Sequence, residues 1–131
     1  MSDLSIKDAR AQLAGLLSEL TYGDPPKNFR VTPRPRANNL RRGDGFVTVE
    51  TNGVGEFIGS YLAVFNAYLL LGSDESLADA DLDDLLVPAT AAVANWVGMD
   101  ITVRPISIVG GESFQGETFA IAITCSVDVT S

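Results

Sequence analysis

The chain predicts one α+β domain over residues 1–131, with two helices packed on one face of a largely antiparallel sheet, in the order α-β-β-β-α-β-β. Three features point there. Apolar residues recur at helical spacing in two segments, residues 9–20 and 82–96. The last segment, Phe119–Val129, alternates apolar and polar residues without a break. The length of 131 residues suits a single domain whose core needs no disulfide or metal to fold.

Each element has its own local reason. Ser5 with Asp8 three residues later resembles a capping box, and Ala9, Leu13, Leu16, Leu17 and Leu20 form one stripe behind it. The first helix is expected over Ser5–Leu20, stopped by Gly23 and the Pro25-Pro26 pair. Phe29–Thr32 is a short strand candidate ended by Pro33. Residues 33–45 carry two prolines, two asparagines, Gly43 and Gly45, an extended loop longer than the usual connection. Phe46–Thr51 then alternates as a strand, and Asn52-Gly53 with Gly55 supplies hairpin turn chemistry.

Phe57–Leu71 admits two readings. Phe57, Tyr61, Val64, Phe65, Tyr68 and Leu69 fit a helical stripe, but the preceding turn, the terminal Gly72 and the aromatic content favour a long central strand. As a strand it is apolar on both sides, with Phe57, Tyr61, Phe65 and Leu69 on one and Ile58, Leu62, Val64 and Leu70 on the other. The chain's own helices cover one side; another subunit is expected on the second.

Asp79 or Asp81 is placed to cap the second helix, in which Leu82, Leu85, Leu86, Ala89, Val93 and Trp96 share a face. Pro88 falls inside that pattern and predicts a kink or a break, and Gly98 a stop. Ile101–Val109 is a strand that Pro105 assigns to a sheet edge or a bulge. A glycine loop, 110–116, leads into the final strand, whose Phe119, Ile121, Ile123, Cys125, Val127 and Val129 face the core.

The composition argues against catalysis. The chain has no histidine, which removes Ser-His-Asp and Cys-His nucleophile pairs and HExxH zinc sites. Cys125 lies in a core strand without a basic neighbour, so it reads as a buried thiol. Asp79, Asp81, Asp83 and Asp84 lack the glycine and glutamate spacing of a calcium loop and read as helix-capping carboxylates. The glycine loops match no dinucleotide or phosphate fingerprint. No cofactor, metal or catalytic residue is therefore expected. The apolar run near Tyr61–Leu71 is too short for a membrane span, no leader pattern opens the chain, and a lone cysteine suits a reducing compartment.

Charge is distributed unevenly. The net charge is −8, yet residues 27–42 hold Lys27, Arg30, Arg34, Arg36, Arg41 and Arg42 and no acid, leaving three basic against seventeen acidic residues, −14, elsewhere. This basic arm on an acidic body admits three readings: a solvated loop, a nucleic-acid contact, or docking on acidic protein. Against nucleic acid, no aromatic residue is interleaved for base stacking and the acidic body repels a polyanion. Docking fits a different partner or the Asp74–Asp84 region of an identical neighbour, a heterologous contact that closes rings or builds filaments.

The element order, together with the Arg/Pro-rich loop before a hairpin, the strand Tyr61–Leu71 ending in Gly-Ser-Asp, "DLDDLLVPATAAV" (Asp81–Val93), "MDITVRPISI" (Met99–Ile108) and a last strand ending in "SVDV" (Ser126–Val129), resembles the tail terminator proteins of long-tailed bacteriophages, the lambda-like neck and tail-completion family. The likeness spans nearly the whole chain. It implies a non-enzymatic ring, usually a hexamer, in the virion tail or neck, assembled in the host cytoplasm. Such a ring caps the tail tube, ends its polymerisation and offers the surface that joins tail to head. The implied partners are the tail tube protein, the head–tail connector protein and DNA passing through the lumen without specific binding. Family contacts made by loops map onto Arg34, Arg36, Arg41 and Arg42, and onto Glu112, Phe114 and Gln115. Asp83 and Asp84 are the matching acidic interface candidates.

Overall fold

The computed structural model describes residues 4–23, 25–34, 41–50, 60–109 and 117–130. In chain order the elements are α1 (Ile6–Leu17), β1 (Thr21–Tyr22), β2 (Lys27–Asn28), β3 (Arg30–Thr32), β4 (Asp44–Glu50), β5 (Ser60–Gly72), α2 (Glu75–Ala94), β6 (Met99–Val109) and β7 (Glu117–Thr130). β1 and β2 form a separate two-stranded ribbon, and the main sheet runs β3-β4-β5-β7-β6. The expected α+β class and the order of its main elements hold.

Ser5 caps α1 as its sequence predicts, its hydroxyl accepting the Asp8 N–H at 3.1 Å. The helix ends three residues earlier than the apolar stripe, because Ser18 turns away to serve the sheet. Its hydroxyl donates to the Ala14 carbonyl at 2.8 Å and accepts the Val31 N–H at 3.1 Å, tying the helix end to β3. Leu20 then accepts the Phe29 N–H through its carbonyl, and Phe29, expected to open the strand, instead precedes β3 and is buried against the Tyr22 ring at 4.8 Å.

β5 is extended, and its accessibility alternates with period two. Ala63, Phe65, Ala67 and Leu69 are fully buried, while Leu62 is 52% exposed and Val64, Asn66 and Tyr68 are half-buried. An irregularity between Leu70 and Gly72 brings both Leu70 and Leu71 inside. The core lies between the buried face of β4, β5 and β7 and the two helices, with Ile121, Ile123, Cys125, Val127 and Val129 supplied by the final strand as expected.

Three expectations for α2 are corrected. Its N-cap is Asp74, which accepts the Leu77 N–H at 3.2 Å, so the helix starts ahead of Asp79 and Asp81 and both lie in its interior. It runs as one helix through the exposed Pro88. It ends at Asn95, not Gly98. Gly98 serves closeness instead, since a Cβ there would meet Val93 Cγ1. The predicted face does pack: Leu85, Ala89 and Val93 are buried, with Leu82 and Trp96 against the core.

β6 is the sheet edge that Pro105 predicts, with a register irregularity between Met99 and Thr102 where Asp100 takes φ 51°. At the other edge β3 pairs parallel with β4, the one exception among the described pairings of a sheet otherwise antiparallel. The Asn52-Gly53 turn, the start of the Phe57 segment and the loop 110–116 lie outside the described residues. No described helix is long and apolar enough to cross a membrane.

Cys125 is fully buried, and burial pushes its thiol up to about 11. A thiol reagent at pH 8 is expected to leave the folded protein unmodified and to titrate one thiol after unfolding in urea. A raised thiol pKa contributes stability that is full below about 9.0 and lost as pH climbs to about 11. Cys125→Ala should flatten that part of the stability–pH curve; an equal slope in both proteins would reject the assignment.

Candidate functional site: the base of the arginine arm and the open sheet face

The arm begins and ends in ion pairs. The parallel register sets Arg30 of β3 opposite Asp44 of β4, and Arg30 Nε donates to Asp44 Oδ1 at 2.9 Å. The other carboxylate oxygen accepts the Arg41 N–H at 3.1 Å, so one buried acid holds a guanidinium and a turn together. Arg30 Nη2 also donates to the Arg42 carbonyl at 3.2 Å. A hydrogen bond with Tyr22 raises the Arg30 pKa most, and Asp44 adds to this against the opposing effect of burial.

Arg42 reaches into the helical layer. Its Nη2 lies 2.7 Å from Oδ2 of Asp81, with Nε donating to the same oxygen at 3.3 Å. Its guanidinium sits 5.0 Å from the Tyr22 ring centroid, a cation–π contact. Two glycines make room: Gly72, φ 90°, lies under the Arg42 stem, and Gly43, φ 92°, lies under the Tyr22 hydroxyl where a Cβ would collide. Asp81 is therefore not a cap. It is a buried carboxylate on the core face of α2, held by a cation 39 positions away.

The remaining candidates are distributed as follows. Arg34 is exposed, with Thr32 Oγ1 donating to its carbonyl at 2.6 Å. Arg41 is exposed. Asp83 and Asp84 are exposed in the interior of α2 and make no ion pair among the described residues. Arg36, Glu112, Phe114 and Gln115 lie outside the described residues. The structure thus joins Arg42 to Asp81 within one chain, leaving Lys27, Arg34 and Arg41 as described exposed cations of the arm that make no ion pair among the described residues.

Sequence reading missed Tyr22, Asp44 and Asp81 as members of this site. Asp81 carried a usable signal: it stands at helical spacing with Ala78, Leu85 and Ala89, and a carboxylate inside an apolar stripe requires a buried partner. Tyr22 and Asp44 carried none.

The sheet face turned away from both helices is of mixed polarity. The Phe46 and Tyr68 rings lie 5.1 Å apart, and Leu62 and Val64 continue the apolar surface along β5. Across its middle, Thr124 Oγ1 donates to Asn66 Oδ1 at 2.8 Å and Asn66 Nδ2 to Glu50 Oε1 at 3.0 Å. This ladder fixes side-chain positions on an uncovered surface. Among the described residues no group of three or more His, Cys, Asp or Glu is placed to hold a metal ion. No family model, no curated protein and no solved structure matches this chain.

Proposed function

We propose that this chain is a structural subunit of a phage tail-terminator or neck ring, which caps the tail tube, ends its polymerisation and presents the surface that joins tail to head. The observation that carries the reading is the half-covered sheet. β5 buries one side against the helices while Leu62, Val64, Phe46 and Tyr68 remain partly accessible on the other. The family likeness supplies the identity of the assembly. Arg30 and Arg42 are held by Asp44 and Asp81, which reduces the charge the arm offers a phosphate backbone and weighs against the nucleic-acid reading.

The test is imaging of isolated tails after addition of the purified chain. A ring at the tube end with arrest of tube growth is the expected result. A chain that stays monomeric both alone and with tube protein, or that decorates DNA instead, overturns it.

A further inference from the structure

A cleft of about 340 Å³ opens in the helical layer, lined by Gln12, Gly15, Leu16 and Glu19 of α1 and its C-terminal turn and by Trp96 just beyond α2. The indole is held in place, since Trp96 Nε1 donates to Gln12 Oε1 at 2.8 Å. Gly15 lies in the interior of α1, where glycine weakens a helix relative to alanine, and a Cβ there would meet no neighbouring element within 4 Å. The packing around α1 does not require this glycine, and its bare backbone deepens the cleft. Glu19 is exposed, and its carboxylate makes no ion pair among the described residues. An aromatic face beside an unpaired carboxylate is a setting that a guanidinium fills, by cation–π contact and charge-assisted hydrogen bonds.

The sheet face turned away from the helices carries such a group. β4 pairs Phe46 with Tyr68, β5 pairs Tyr68 with Ala122, and β6 pairs Arg104 with Ala122, so one row across the sheet reads Phe46, Tyr68, Ala122, Arg104. Val103 packs on the core, which turns its neighbour Arg104 to the uncovered side. Arg104 is exposed and makes no ion pair among the described residues. It is fixed in a strand, unlike the cations of the arm. The cleft belongs to the helical side and Arg104 to the other, with the sheet between them. Complementary groups on opposite faces meet head to tail between copies, the kind of contact that closes a ring.

We infer that the cleft at Trp96 receives Arg104 of a second copy of this chain, its guanidinium lying on the indole with Glu19 as counter-ion. The inference rests on the ring reading and deepens it by naming the subunit contact. In that contact the open sheet face, Leu62 and Val64 included, is laid against the helical layer of the next protomer.

Trp96 is the one tryptophan in the chain, so its fluorescence reports on the cleft directly. As the concentration of the full chain rises through the assembly midpoint read by sedimentation velocity, Trp96 emission should change and its quenching by acrylamide should fall. Glu19→Arg and Arg104→Glu are each expected to raise that midpoint at least about tenfold, because like charges then face each other. An equimolar mixture of the two should assemble more tightly than either alone, since each supplies the charge the other lacks. Thermal unfolding separates lost assembly from lost folding, and Glu19→Gln or Arg104→Gln, again with a raised midpoint, replaces a variant that unfolds. Single variants that assemble like wild type overturn the contact, as does a mixture no tighter than its components. A Trp96 signal that stays constant through assembly also overturns it, the result expected if the cleft is filled from within the protomer or not at all. So does a wild-type chain that is monomeric at every concentration. In each case imaging on tails judges the ring separately.

Discussion

Phe65→Ala is expected to cost about 3–5 kcal/mol of unfolding free energy, the loss typical of a large aromatic side chain removed from a closed core. Phe65 is fully buried at the centre of β5, flanked in register by Val49 of β4 and Cys125 of β7. A domain of this size is stable by only about 5–15 kcal/mol, so the variant should unfold at much lower urea. Leu62→Ser, three positions away on the opposite face and 52% exposed, is expected to stay within about 0.5 kcal/mol of wild type. It should instead weaken assembly. Urea denaturation of the monomer reads the first effect and sedimentation the second. Equal destabilisation by the two variants would mean that both faces of β5 are closed within one protomer, removing the reason to expect a neighbour.

Arg42→Ala should cost about 2–3 kcal/mol, most of it from the Asp81 carboxylate left buried without its cation. The side chain of Arg42 is 30% exposed against 9% for Asp81, which sets the value below that of a fully buried pair. Loss of the Tyr22 cation–π contact adds a smaller amount, about 0.5–1 kcal/mol. Arg42→Met combined with Asp81→Leu should recover most of the loss, because an apolar pair of similar volume carries no desolvation cost. Wild type, Arg42→Met, Asp81→Leu and the double variant form a double-mutant cycle read by urea denaturation. Arg34→Ala, at an exposed position, is the reference and should be near neutral. An Arg42→Ala loss no larger than that of Arg34→Ala would reject the clamp.

What could be read from residues alone was whatever repeats over a few positions. The period of two in Phe119–Val129 and in Tyr61–Leu71, the helical stripes behind Ser5 and through Val93, and the edge meaning of Pro105 all depend on neighbours close in the chain. Those elements exist as read, although α1 stops at Leu17, α2 runs unbroken through Pro88, and Leu70, expected on the outer side of β5, is buried by the irregularity before Gly72. The start of α2 was misplaced because Asp74, Asp79 and Asp81 are the same residue type near a helix end, and composition does not tell a capping carboxylate from a buried one.

The tertiary structure decided the rest. Which strand lies beside β5, that β3 runs parallel to β4, and that Arg42 finds Asp81 across 39 positions are choices among distant partners. Local propensity carries no term for such pairs; burial does, since each desolvated charge must meet its opposite wherever the fold brings one. Arg10 is informative for the same reason. Its buried nitrogen without an acceptor is visible only once α1 is docked.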